Sequence, residues 1–452
     1  MAMHIKWACL VGVLASTAAC AAGAEDTEDG EPDVEQVGTV ASELGSPALP
    51  NNLPFANALG FSATYSVAGR VTLTGPFFQA FGTNDRTCAS CHKVGEGWSI
   101  STAGIRLLFA ATGGRDPMFR TNDGSNNPNA DVSTLAARKK AYSMLLDRGT
   151  IRVGLPVPAG ADFELVAVDD PYGFASAAEL SLFRRPLPAT NLAAIKNVMW
   201  DGRVTGPTIR DALAEQANGA TQGHAAAPLP LSNETRRQIV DFEFGLFNAQ
   251  TISFKVGSLE AGGGADALAS QDIGPPAGSS VEARRWDLFD AWKNSGNAKR
   301  RQIWRGQELF NTRTHVVGNP NFTCTNCHTV KHIGTDIQGR FFNVLNPTTK
   351  PLRRAADQPL YTFRYTGPTE GNLVNGTVLQ TTDPGRALIT GRFADMQRFK
   401  VPSMRGLAAR APYFHDGSAA TLEQVVRDYE TQQDFVFTAE ERADLVAFLS
   451  AL

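Results

Sequence analysis

Apolar residues near the end of the chain recur at helical spacing. Leu445, Phe448, Leu449 and Leu452 fall at i, i+3, i+4 and i+7, which predicts one buried helix face. Thr438 and Glu441, three residues apart at its start, have the pattern of a capping box. Leu422, Val425, Val426 and Tyr429 predict a second amphipathic helix, opened by Thr421 and Gln424. Ile303, Gly306 and Phe310 predict a third, whose small residue would let a crossing helix approach closely. In the first half, Ser232 can cap a helix running through Ile239, Val240, Phe244 and Phe247. Between these segments the chain is loop-rich, and residues 260–276 read as a Gly/Pro linker. The pattern predicts a mainly α fold in two halves that share one plan.

Each half opens on the same five-residue motif. Cys88-Ala89-Ser90-Cys91-His92 and Cys324-Thr325-Asn326-Cys327-His328 are Cys-x-x-Cys-His strings, the signature of covalent c-type haem attachment. The two thiols would form thioethers and the histidine would bind iron. A four-cysteine zinc site is the alternative for such pairs, but it does not explain a His directly after both. Six cysteines occur in all, and the other two, Cys9 and Cys20, lie in the N-terminal segment, which leaves no pair for a structural disulfide.

That N-terminal segment reads as an export signal. Lys6 precedes an apolar run over residues 7–19, too short to span a membrane. Residues 16–20 resemble a lipoprotein cleavage site with Cys20 as the lipid-anchored residue; cleavage near Ala22 or Ala24 is the alternative. Both place the chain in the bacterial periplasm, with Cys20 offering an outer-membrane anchor. Residues 25–35 hold seven acids and no base, and read as disordered. Removing them and Lys6 leaves 41 basic and 38 acidic residues, which four haem propionates would bring close to neutral. Nothing in this balance suggests a nucleic-acid partner. The expected organisation is a signal over 1–24, an acidic linker over 25–50, haem domains over 51–255 and 299–452, and a linker over 256–298. The loop over residues 123–131 is rich in oxygen ligands and can be read as a calcium loop or a plain turn.

The C-terminal strings Phe399-Lys-Val-Pro-Ser-Met-Arg-Gly406, Ala411-Pro-Tyr-Phe-His-Asp-Gly417 and Ala420-Thr-Leu-Glu-Gln-Val-Val426 resemble the second haem domain of bacterial di-haem cytochrome c peroxidases and MauG-type enzymes. Trp200-Asp-Gly-Arg203 and Glu215-Gln-Ala217 resemble motifs of their first domain. The resemblance covers roughly residues 75–95, 195–250, 303–330 and 395–452, whereas 96–180 and 330–390 read as long loop-rich insertions.

The resemblance implies two cytochrome c-type haem domains with unlike tasks. The His92 haem would react with hydrogen peroxide, and the His328 haem would relay electrons. Tyr429, fourteen residues after His415, stands where MauG-type enzymes have a tyrosine iron ligand and the peroxidases a methionine; Met396 and Met404 are the alternative thioethers. Trp200 matches the tryptophan between the haems, an electron relay. Around Gln216 the pattern departs: Ala220 replaces a proline, and Ala226 replaces the glutamate that moves protons in peroxide cleavage. His224 lies close by and can serve as acid/base, or cap the first iron. A removable distal histidine is absent from its usual place, which Leu108 fills. Arg185 and Arg410 occupy two positions of the family's interdomain calcium site. The expected partners are a small electron-donor cytochrome or cupredoxin, or an oxidisable protein or organic substrate. The alternative function is a non-enzymatic di-haem electron-transfer or sensing cytochrome.

Overall fold

The computed structural model describes residues 47–263, 284–315, 322–344 and 356–452. The expected signal, Cys9, Cys20, the acidic stretch and the middle of the expected linker lie outside them. No helix among the described residues is long and apolar enough to cross a membrane.

The expectation of a mainly α fold is overturned: the described residues are 33% helical and 18% strand, with strands in several sheets. The longer helices among the described residues are α1 (Thr102–Thr112), α2 (Ile209–Gly223), α3 (Asn233–Phe244), α4 (Ala298–Thr312), α5 (Leu422–Gln433) and α6 (Ala439–Ser450), and all but α1 line one of two cavities. The longer strands are β1 (Pro54–Asn57), β2 (Gly60–Ser66), β3 (Ile151–Leu155), β4 (Phe163–Asp169), β5 (Leu180–Arg184), β6 (Leu246–Ser253), β7 (Leu360–Tyr365) and β8 (Val378–Thr381). β1, β2 and β6 form an antiparallel sheet extended by residues 257 and 258. Phe247 therefore lies in a strand. α3 stops at Gly245, and the apolar run beyond it pairs with β2.

The second half is held by α4 crossing α6. A Cβ on Gly306 would lie 2.0 Å from the carbonyl oxygen of Asp444, so the two backbones approach as only glycine allows. Ile303, Phe310, Leu445, Phe448 and Leu449 are buried at this crossing. Trp286, Leu288, Phe289 and Trp292, within the expected 256–298 linker, are buried in the same core. Thr438 and Glu441 exchange both capping-box hydrogen bonds. Thr421 caps α5 through the Gln424 N–H, but the Gln424 side chain accepts from Ala420 one residue earlier.

The two insertions form one body. β4, from the first, pairs antiparallel with β7, from the second, and β8 adds to the far side of β7. Phe163, Leu180, Leu182, Tyr361, Phe363 and Tyr365 build its core. The Tyr361 hydroxyl donates to the Ser181 carbonyl at 2.8 Å and accepts from the Ser181 N–H at 2.8 Å. Below this core, Arg184 spans Asp383 (2.6 and 2.8 Å) and Asp201 (2.5 Å), fastening the second insertion to the Trp200 turn.

Candidate functional site

The two Cys-x-x-Cys-His strings fold alike. Each begins as a short 3-10 turn, Cys88–Ser90 and Cys324–Asn326, closed by a threonine before it and a polar residue three on: Thr87 with Ser90, and Thr323 with Asn326. The N–H of His92 donates to Cys88 O at 3.0 Å, and that of His328 to Cys324 O at 3.1 Å. His92 Nδ1 lies 3.0 Å from Trp98 O; His328 Nδ1 lies 2.6 Å from Gly334 O. A carbonyl can only accept, so Nδ1 carries the proton in each ring and Nε2 keeps its lone pair for a metal. Both rings are buried among aromatics, His92 beside Phe77 and His328 beside Phe310. Burial lowers the pKa of each histidine, which holds it neutral.

Each motif opens onto a large, mostly apolar cavity, with empty volumes of about 1500 Å³ and about 1630 Å³ including their mouths. Burial pushes the thiols of Cys88, Cys324 and Cys327 up to about 12, and raises Cys91 also. The two cysteine pairs line separate cavities, so they do not make one four-cysteine zinc site, and each cavity with its free Nε2 fits a covalently held haem.

The distal equipment differs between the cavities. In the first, α2 presents Gln216, Ala217, Ala220, Thr221 and His224 to the cavity. Gln216, Ala220 and His224 follow each other at i, i+4 and i+8, one stripe of the helix. The helix runs on through Ala220 to Gly223, and His224 is the C-cap of α2. Ala220 is the reason: it donates no clash and keeps an N–H, where a proline would end the helix. His224 Nδ1 pairs with Asp123 Oδ2, and Asp123 Oδ1 pairs with Arg86. The His224 carbonyl is pinned by Asn84 Nδ2 at 2.8 Å and Asn122 Nδ2 at 3.2 Å. Burial raises the Asp123 pKa, but His224 and Arg86 outweigh it and hold the carboxyl below its usual range. Asp123 is thereby a carboxylate that fixes the imidazole, as in triad chemistry.

In the second cavity, α5 presents Leu422, Val425, Val426 and Tyr429. The Tyr429 ring faces the interior beside both cysteines, and burial, then their proximity, raises its pKa. Met404 also lines this cavity, packed on Gly334, while Met396 is buried in the insertion core.

Trp200 lines both cavities. Its Nε1–H donates to Arg185 O at 2.8 Å, its carbonyl accepts from the Lys400 N–H at 2.9 Å, and its ring meets His415 edge-on at 6.2 Å. His415 in turn stacks on Phe399, 3.9 Å between centroids. Lys400 lines both cavities too; its ammonium donates to Asn197 O at 2.8 Å, and burial brings its pKa down to about 8.

The residues do not fit calcium. At the family position Arg185 places its own cation, donating to the carbonyls of Ile100, Arg148 (3.2 Å), Gly149 (3.3 Å) and Arg410 (2.9 Å). In the loop over residues 123–131, Asp123 is committed to Arg86 and His224. Asn126 there bonds the Lys140 carbonyl and the Ser143 hydroxyl.

Sequence reasoning singled out His224, Trp200, Gln216 and Tyr429, and the structure brings the first three to one cavity and Tyr429 to the other. It read Asp123 only as part of an oxygen-rich loop and missed its pairing with His224 at the cavity. It also missed Glu243, which shares an apolar stripe with Ile239 and Val240; an acid at i+4 and i+3 on such a face was the available signal.

No family model matches the chain. Its segments are similar to characterised proteins. The cytochrome c551 peroxidase of Nitrosomonas europaea is 45% identical over 76 residues, 16% of this chain and 23% of that protein. The cytochrome-c peroxidase IdrP1 of Denitromonas iodatirespirans is 29% identical over 178 residues, 36% of this chain and 44% of that one. The methylamine utilization protein MauG of Methylophilus methylotrophus is 34% identical over 87 residues, 16% and 26%. The chain thus spans less than half the length of these relatives. Two matching haem turns and two cavities that fit the cofactor make this a di-haem c-type protein, whose segments are similar to both cytochrome c peroxidases and MauG.

Proposed function

We propose that this chain is an exported di-haem oxidoreductase of peroxidase or MauG type. Hydrogen peroxide meets the first cavity, and electrons or oxidising equivalents pass by way of the second. The observation that carries this reading is the unlike equipment of two matching cavities that share one indole wall. A c-type haem held at each motif supplies iron able to exchange electrons with peroxide, donor or substrate.

The residues then divide the work. His92 and His328 would hold the two haem irons through Nε2. His224, its Nδ1 engaged by Asp123, offers Nε2 to the first cavity as acid and base: it takes a proton from one peroxide oxygen and returns it to the other. Gln216, two turns earlier on the same stripe, is the amide that orients the small ligand. Trp200 is the relay between the cavities, supported by its place in both walls. Tyr429 would hold the iron of the second haem, supported by its buried ring beside both cysteines. A phenolate there would favour oxidised iron and a low potential, suited to sharing oxidising equivalents. The electron partner is a small cytochrome or cupredoxin, or an oxidisable protein or organic molecule.

Absorption and EPR spectra of the ferric holoprotein test the proposal. A high-spin signal that shifts on adding hydrogen peroxide is expected, with Tyr429→Phe altering only the other, low-spin signal. Two low-spin haems indifferent to peroxide in every redox state would instead leave an electron-transfer cytochrome, the reading that Ala226 favours.

A further inference from the structure

Glu243 is a buried acid that the proposed function leaves without a task. α3 carries it into the wall of the first cavity, between Val240 and the aromatic cluster where Phe242 packs on Phe77 and Trp98 at 5.1 and 5.5 Å. The residue is 7% exposed, and its Oε2 has no hydrogen-bond partner. The charged groups of the same cavity are engaged elsewhere: Arg86, Asp123 and His224 with one another, Arg184 with Asp201 and Asp383, Arg203 with Asp201, Arg185 and Lys400 with carbonyls. Glu243 acts on the nearby Cys88 thiol, which ceases to ionise once its sulfur is a thioether. A lone carboxylate in such a wall is costly, so the cavity raises the group's affinity for a proton. Burial alone pushes its pKa up to about 8.

We propose that Glu243 is the redox-linked proton site of the first haem, binding a proton when that haem gains an electron and releasing it when the electron leaves. One electron from a donor cytochrome or cupredoxin and one proton from solvent enter together, and both depart on reoxidation. The sign follows from charge. An added electron makes the cavity more negative, which favours the neutral acid and raises its proton affinity. Protonation in turn favours the reduced haem. The inference rests on haem binding in the first cavity, and not on the peroxidase reading.

Spectroelectrochemical titration of the full-length holoprotein between pH 6 and 9 tests it. The first haem's midpoint potential should fall as pH rises, approaching about 59 mV for each tenfold drop in proton activity, the one-electron limit. Glu243→Gln should remove most of that slope and leave the second haem's potential unmoved. An equal slope in both proteins overturns the proposal. Should Glu243→Gln fail to take up haem, proton uptake by the unaltered protein on reduction at pH 8, read with a pH dye, decides instead. No uptake refutes the assignment; uptake with an infrared carboxylic-acid band appearing on reduction, and retained but shifted in Glu243→Asp, supports it. A protein that ignores peroxide yet keeps the slope would sink the peroxidase reading alone.

Discussion

Asp123 decides what His224 can do. A histidine at a helix C-cap can rotate freely about its side-chain bonds, and an acid/base is effective only when one nitrogen is aimed at the reacting group. Here the carboxylate receives Nδ1–H, and Arg86 holds the carboxylate from behind by further donating to Pro117 O at 2.8 Å. Asp123→Asn keeps the shape and removes the charge, so the imidazolium formed during proton transfer loses its stabiliser. Stopped-flow mixing with peroxide should give a second-order rate lower by about 10- to 1000-fold, below the ~10⁴ found when a triad loses its acid. The pH at which the rate falls off should also shift, which a merely structural role would not cause. A rate and pH profile like the unaltered protein's would remove Asp123 from the mechanism. Residues in short motifs, such as His92, Trp200 and Tyr429, could be read from the chain because their neighbours carry the signal. Asp123 could not, because it works across 101 positions of sequence.

Helices and strands were unequally legible for a physical reason. The α4–α6 crossing is written in local terms: a 3.6-residue apolar stripe, a capping box and one glycine where Asp444 comes close. β7 and β4 each carry plausible strand patterns, but what stabilises them is a partner about two hundred residues away, which no local window contains. Gly306 separates the two levels of argument. Helix propensity alone predicts that Gly306→Ala stabilises by up to ~1 kcal/mol. The added methyl, however, meets backbone at 2.0 Å, which no rotamer change relieves. Overpacking of this kind costs about 1–3 kcal/mol and should win. Chemical denaturation of the holoprotein should show a lower midpoint at unchanged slope. A raised midpoint would mean that the helices separate without penalty.

At the scale of the molecule, the insertions are fastened to the haem-bearing body through buried charge. Arg184 is 2% exposed and Asp201 not at all, and between them and Asp383 two carboxylates meet one guanidinium, with Arg203 completing the balance. Burial raises the Asp201 pKa, but Arg184 and Arg203 outweigh it and hold the carboxyl below its usual range. Asp123 at the first cavity is depressed likewise. A carboxylate whose folded pKa is depressed adds stability at all pH values above its unfolded pKa of about 3.9, and that stability drains away as pH falls through the folded value. The junction should therefore be firm at neutral pH and fail below about pH 4. Removing Asp383 tests the same cluster without acid. Asp383→Ala strands Arg184 opposite a single Asp201, and breaking a buried pair in this way costs about 3–5 kcal/mol. Limited proteolysis should then cut within residues 330–390 before the haem domains unfold, because β7 and β8 lose their anchor to the Trp200 turn. If Asp383→Ala unfolds with the same midpoint and resists protease equally, the two insertions are held by the Phe163 and Tyr361 core alone, and the charge cluster is incidental to the assembly.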